Sequence, residues 1–377
     1  MRRRRLGLTT AIFFVLTACV ASACTSGSED SAFNPTPKPR RPAQSVIIAG
    51  DTSNDRPPVD GEYALRTGAN GTGAIAVSTD GTVYFPASSQ LGHRLARISR
   101  DGRLHVLPIA TEADRLIIKA DTLWLMTASK NTVALESRPL RDLNRSTNLL
   151  TAQGPGGRSP LVVNSNGQAL PGTEQRRLIS SLGSADFSLR QDGTPILVTE
   201  EGALYEVLGG NRIRPWSPSG YRAALKANSG SGHFQLMDVV TDDQGDVLLL
   251  GDKGLVRIPS RGSATGVRFP SAVEKLPSWT TMLPLRNGTI VLLGSTEVRA
   301  SPPSPGLLTP AGELRTVNWG AQPSCWKFSG TLSAVQSAQL GGVAAHPDGY
   351  YLATDFGCST IIAFKLTAPL SGTPLPG

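Results

Sequence analysis

The chain is 377 residues long and carries 37 Lys and Arg against 29 Asp and Glu, a formal charge of +8. Only 18% of its residues are charged, while 40 glycines and 28 prolines punctuate it, which excludes a coiled coil or a long-helix bundle. The 39% apolar content is enough for a core and excludes wholesale disorder. Four of the positive charges, Arg2 to Arg5, fall in a segment expected to be removed; the excess is thereby halved and makes no case for a nucleic-acid partner.

Arg2–Arg5 precede the uncharged run Leu6–Leu16, LGLTTAIFFVL. Eleven residues are too few to span a bilayer core, which takes roughly 20 in a helix, but they match a signal-peptide hydrophobic region. Next come Leu16-Thr17-Ala18-Cys19 and Ala21-Ser22-Ala23-Cys24. A leucine, a small residue, Ala or Gly and then Cys resembles the bacterial lipobox, in which the Cys thiol is acylated and becomes the mature N terminus. The resemblance implies a lipoprotein signal peptide over 1–18, and Cys19 (alternatively Cys24) bearing diacylglycerol and a palmitate-type acyl chain. It also implies anchoring on the extracytoplasmic face of the cell membrane. An ordinary secretory signal cut after Ala23, or a short membrane anchor, is the competing reading.

Residues 19–61 read as the lipidated N terminus and a tether rich in Ser, Pro, Asp and Thr, which cannot bury enough apolar surface to fold. Val46-Ile47-Ile48 is its one ordered candidate, a stray strand for a neighbouring sheet. Arginines outnumber lysines but are scattered rather than clustered, as in a GC-rich genome such as an actinobacterium's.

Over 62–368 no long stretch shows a 3.6-residue apolar period; short β-rich runs broken by Asp-Gly or Asn-Gly recur instead. The clearest unit is Gly73–Val77, Asp80-Gly81, Thr82–Phe85, Leu95–Ser99, Asp101-Gly102 and Arg103–Leu107. Each Asp-Gly is expected to make a two-residue turn with two positive φ angles. Successive first turns near 80, 121, 192, 244, 287 and 348 lie 41, 71, 52, 43 and 61 residues apart, a loose period in the range of propeller repeats. The fold class expected is an all-β propeller of four-stranded antiparallel blades, six in number, or seven if the insertion 139–182 makes a degenerate one. A pair of β-sandwiches is the competing architecture. Glu62–Arg66 is expected to close the ring against the last blade, and 369–377 to form a C-terminal tail.

Gly342–Asp355 (GVAAHPDGYYLATD) and Gly73–Tyr84 (GAIAVSTDGTVY) resemble NHL repeats. That resemblance implies a six-bladed propeller of the kind found on bacterial surfaces as sensor or binding domains. Other propellers of this shape are lyases or lactonases, so shape does not select function.

Of four cysteines, Cys325 and Cys358 lie outside the export signal and are expected to pair, an oxidising compartment favouring a disulfide. Closing a loop of this size would stabilise the fold by roughly 3–4 kcal/mol. His93 and His233 sit in loops that a propeller can bring to one face. His346 occupies a turn position, and His105 completes the set. Asp238, on an inner-strand candidate, is the one weak carboxylate candidate for an axial Ca or Zn, although a hydrogen-bonded structural role is the stronger reading. No other cofactor is expected. No Gly-x-Ser-x-Gly elbow occurs, and Gly154–Arg158 lacks the Gly-Lys-Ser/Thr of a phosphate loop. Trp216, Trp279, Trp319 and Trp326 are candidates to line a ligand face, with wedges between blades as the plain alternative. The expectation is a monomeric, non-catalytic binding or assembly module of the cell envelope, held to the membrane by lipid and facing an envelope protein or a glycan, not nucleic acid. A metal-dependent envelope lyase or lactonase and the sensor domain of a signalling complex are the alternatives.

Overall fold

The computed structural model describes residues 46–50, 57–69, 73–89, 92–129, 132–153, 159–172, 185–229, 233–269, 279–285, 288–294, 306–316, 340–355, 360–364 and 373–374. They form six small antiparallel sheets, the blades of a propeller. The first strand, β1 (Val46–Ala49), is held back for the last blade. Blade 1 comprises β2 (Ala76–Val77), β3 (Val83–Ser89), β4 (Gly92–Ile98) and β5 (Leu104–Ala110). Blade 2 comprises β6 (Arg115–Lys119), β7 (Thr122–Ser129), β8 (Thr132–Pro139) and β9 (Thr147–Gln153). A short β10 (Leu161–Val162) runs parallel along the outer edge of blade 3, which is β11 (Asp186–Leu189), β12 (Pro195–Val198), β13 (Leu204–Gly209) and β14 (Arg212–Pro215). Blade 4 is β15 (Leu236–Thr241), β16 (Val247–Gly251), β17 (Gly254–Ile258) and β18 (Thr265–Arg268). Blade 5 is β19 (Trp279–Pro284), β20 (Ile290–Gly294), β21 (Gly306–Leu308) and β22 (Leu314–Thr316); blade 6 is β23 (Leu340–Ala345), β24 (Tyr351–Asp355) and β25 (Thr360–Phe364). The inner strands β2, β6, β11, β15, β19 and β23 touch in sequence, and β23 returns to β2, so the ring is closed.

Closure comes from β1, which pairs antiparallel with β25 as the fourth strand of blade 6 (Val46↔Ala363, Ile47↔Ile362). The stray strand of the expected tether is thus part of the propeller, ahead of the boundary at 62. Glu62–Arg66, expected to close the ring, instead caps the outer edge of blade 1: Leu104 N–H donates to the Glu62 carbonyl and Ala64 N–H to that of Gly102 (2.8 and 2.9 Å). Ala64–Arg66 is one turn of 3-10 helix. The open edge of β25 is apolar, and the β-branched Val46-Ile47-Ile48 meets it better than a segment holding Glu62 and Arg66. The insertion 139–182 supplies outer strands to blades 2 and 3, and no seventh sheet exists among the described residues. β26 (Thr373–Pro374), inside the expected tail, joins β22 as a fifth strand of blade 5.

The buried apolar residues fall into six clusters, and each lies between two adjacent blades. Phe85 and Leu352 belong to the seam of blades 6 and 1, Leu95 and Leu123 to that of 1 and 2, and Phe187 and Leu135 to that of 2 and 3. Val198 with Leu249, Leu250 with Leu292, and Leu293 with Ile362 serve the remaining three. A blade is covered on both faces, so its middle strands read as unbroken apolar runs instead of alternating ones. Pro195–Val198 and Val247–Gly251 are buried throughout.

The recurrent Asp-Gly turns differ from the two-residue form expected of them. Gly81 N–H bonds the Ser78 carbonyl (2.9 Å) and Ser78 N–H that of Thr82 (3.0 Å); Gly193, Gly245 and Gly349 repeat the pattern. This is a type I turn followed by a left-handed glycine bulge, so glycine alone takes positive φ, 86° at Gly81. Asp80 earns its place by its carboxylate, which accepts from Thr82 N–H at 3.0 Å. The two-residue form occurs instead at Ala120-Asp121, with φ of 47° and 56°, where no glycine is present. A helix, α1 (Tyr221–Ser229), packs on β17 and β18.

Candidate functional site on the propeller axis

Each inner strand runs into its turn at the same end of the ring, so positions counted back from the turn form layers around the axis. Seven residues before the turn glycines 81, 193, 245, 288 and 349 stand Ala74, Asp186, Asp238, Thr281 and Gly342. In blade 2, Lys119 pairs with Thr122 across the two-residue turn, which puts Arg115 in the same layer. All six residues line one axial cavity of about 820 Å³. The next layer toward the turns is Ala76, Ile117, Ser188, Val240, Leu283 and Ala344, which lines the same cavity and is apolar apart from Ser188.

The first layer is polar in blades 2 to 5 and nearly bare in blades 6 and 1. Arg115 reaches from blade 2 across blade 3 to blade 4: its Nη1 lies 2.6 Å from Asp238 Oδ1 and 3.9 Å from Asp186 Oδ2. Its Nη2 donates to the Val239 carbonyl. Asp238 Oδ2 in turn accepts from Thr281 Oγ1 (3.0 Å) and Met282 N–H (2.7 Å) of blade 5. Four consecutive blades are therefore tied through one guanidinium and one carboxylate. The Asp238 side chain is 2% exposed, whereas Arg115 and Asp186 keep 19% and 22% of theirs open to the cavity.

These exposures fit the electrostatics. Burial pushes the Asp186 carboxyl up to about 6, a trend opposed by Arg115 and reinforced by Asp238, while Phe187 and Val239 N–H groups donate to it. For Arg115, burial disfavours the charge, but Asp186 and Asp238 outweigh it and hold its pKa above the ordinary value. Asp114, beside Arg115 at the start of β6, is raised by burial, with Glu112 adding to the effect and a bond from Ala128 N–H opposing it. Further along the axis the Ser188 and Thr241 hydroxyls bond each other at 2.8 Å. At the turn end Lys119 Nζ donates to the Arg190 carbonyl, and burial lowers its pKa against the pull of Asp192.

Asp238, read from sequence as a metal carboxylate or a structural acid, spends both oxygens on protein donors. Among the described residues no group of three or more His, Cys, Asp or Glu is placed to hold a metal ion. None of the four histidines lines the cavity. His93 is the second residue of β4, with Nδ1 3.0 Å from Ser88 Oγ, and His233 is exposed ahead of β15. His105 lies on β5 beside Asp60. His346 bridges the seam, with Nε2 3.2 Å from the Gly81 carbonyl and its ring stacked on Tyr350 at 4.1 Å. Trp216 is half-buried against the core between blades 3 and 4, with the Arg190 guanidinium 5.2 Å from its ring. Trp279 is the first residue of β19; its side chain, Trp319, Trp326 and all four cysteines lie outside the described residues.

Sequence reasoning singled out Asp238 but passed over Arg115, Asp186 and Thr281. Aligning the repeats on the turn glycine puts three of the four polar residues in one column; the missing glycine of blade 2 hides Arg115.

No protein-family model matches the sequence, and no curated protein matches it. Solved structures do share the fold. A protein of unknown function from Bacteroides thetaiotaomicron superposes with a TM-score of 0.54 at 11% identity, over 85% of this chain and 74% of that one. An auxiliary nutrient binding protein from Bacteroides ovatus does so at 0.53 and 8% identity, over 85% and 75%. At such identities the likeness is one of propeller architecture. Among the described residues no helix is long and apolar enough to cross a membrane.

Proposed function

We propose that this propeller is a non-catalytic binding module, held on the outer side of a cell membrane by lipid on Cys19, with the axial cavity as its ligand site. The cavity carries the reading: about 820 Å³ falls in the range of small-molecule sites, and walls built from six packed inner strands are pre-formed. Its polar groups are arranged for holding rather than for bond-breaking. Asp238 is fully engaged by protein donors, the Ser188 and Thr241 hydroxyls engage each other, and neither hydroxyl has a histidine base beside it in the lining. The lipobox-like Leu16–Cys19 supports the anchor, and the nutrient-binding role given for the Bacteroides ovatus structure supports the binding role.

A thermal-shift screen of small metabolites against the wild type and Ala344→Phe, which adds bulk to the channel, tests this reading. A ligand at about 100 times its Kd raises the wild-type Tm by about 5 °C and leaves the plugged variant unmoved. Equal shifts in both proteins would place binding elsewhere.

A further inference from the structure

The axial layer holds one guanidinium and two carboxylates. Arg115 is committed to Asp238 at 2.6 Å, and Asp186 stands 3.9 Å from the same nitrogen, outside hydrogen-bond range. Asp186 therefore shares the guanidinium only through a long ion pair, without a hydrogen bond to it, and it faces a cavity. Across the axis from blade 3 is blade 6, whose residue in this layer is Gly342; next to it blade 1 offers Ala74. In these two of the six blades the layer therefore carries no side chain larger than a methyl. Beneath this space the wall is Ala76, Ile117, Val240, Leu283 and Ala344, with Ser188, bonded to Thr241, below Asp186 itself.

The charged groups around Asp186 favour a cation. Arg115 from β6 and Asp238 from β15 neutralise each other. Asp114, before β6, faces the same cavity, and the exposed Glu112 acts on Asp114, so the rim at the start of β6 is acidic. Lys119, the one other cation in the lining, sits at the far end of β6, about 13 Å along the strand, bonded to the Arg190 carbonyl. Its charge disfavours a cation at the turn end, where the lining carboxylate Asp242 is already paired with Arg257 at 2.9 Å, and leaves the Asp186 layer as the place for one.

We propose that Asp186 anchors the head of an alkylammonium ligand, a primary amine lying over Gly342 and Ala74 with its hydrocarbon against Ile117, Val240 and Leu283. The inference rests on the axial cavity being the ligand site, and adds the ligand's chemical class. The ammonium supplies Asp186 with a hydrogen-bonded ion pair in place of the 3.9 Å contact it has with Arg115, and a short apolar body fits the layer below. Burial of Asp186, which disfavours its lone charge, is offset on the arrival of an opposite one.

Isothermal titration of the full chain with hexylammonium, hexanol and hexanoate at pH 7.5 tests it. Hexylammonium is expected to bind at least tenfold more tightly than hexanol, and hexanoate not at all. Asp186→Asn should remove that preference while its melting transition stays cooperative. In the wild type, which needs no substitution, the preference should shrink on acidification to pH 5 as Asp186 takes up a proton. Tighter binding of hexanoate would assign the site to Arg115 and an anion. Equal binding of hexanol and hexylammonium would overturn the inference and leave the axial site standing. Absence of binding by all three would overturn it too, and the metabolite screen with Ala344→Phe then judges the site by itself.

Discussion

Asp186 shows how one residue sets a pH dependence. Its carboxyl titrates near 6 in the fold against an ordinary value of 3.8, so between those values the native state holds a proton that the unfolded chain has released. A raised acid contributes stability that is complete at low pH and is lost as pH rises through the folded value. Acidification from pH 7.5 to 5 should therefore stabilise the protein by about 1–3 kcal/mol through this residue, and Asp186→Asn should flatten that slope. Urea denaturation of both proteins at the two pH values measures it; identical slopes would show that Asp186 titrates normally. Asp80 and Asp192 work in the opposite sense at lower pH. A hydrogen bond from Ser78 pulls the first down, and one from Thr194 N–H the second.

At the scale of elements, the helix Tyr221–Ser229 was illegible for an identifiable reason. Nine residues give little periodicity to read, and the buried face at i, i+3 and i+7 is Tyr221, Ala224 and Asn228, so a polar residue stands where an apolar one is expected. Asn228 donates to the carbonyls of Ala224 and Leu255 at 3.0 and 3.2 Å, and its own carbonyl oxygen is buried with no donor among the described residues. The helix approaches β17 and β18 closely because Gly254 and Gly266 carry no side chain; a Cβ on Gly266 would overlap Asn228 and come 2.8 Å from the Ala224 carbonyl oxygen. Gly266→Ala should cost about 2–3 kcal/mol by this overlap, read as a lower denaturation midpoint at unchanged slope. A neutral result would mean that the helix can lift from blade 4. The turns were more legible: Asp-Gly marked hairpins correctly at 80, 192 and 348, although bulge geometry rather than a two-residue turn explains them. Blade 2 makes its two-residue turn from Ala120-Asp121 without glycine, which is why its charged inner strand escaped alignment with the others.

For the molecule as a whole, the period of turn glycines carried the propeller and its blade number, because each blade repeats the same hairpin and the same two-sided burial. The seam was legible only in part. Val46-Ile47-Ile48 stood out as a strand for a neighbouring sheet, but nothing in the segment named the sheet, and only the open edge of β25 explains the pairing. Removing Val46–Ala49 uncovers that edge and strips Ile48 and Ala49 from the cluster shared by blades 6 and 1. The truncated chain should lose about 3–5 kcal/mol of stability and scatter light at concentrations where the full chain does not. Retention of the full chain's midpoint in guanidinium would refute a closing role for β1.

The pairing of Val46 with Ala363 also has a consequence in time. A chain made from its N terminus at about 5–20 residues per second exposes Val46-Ile47-Ile48 for roughly 15–60 s before the complementary edge has even been polymerised. Through that interval the segment is a short, uncharged, β-branched stretch of the kind that self-associates. Whatever shields nascent polypeptide in the cell must therefore hold this one early tetrapeptide until the very end of synthesis.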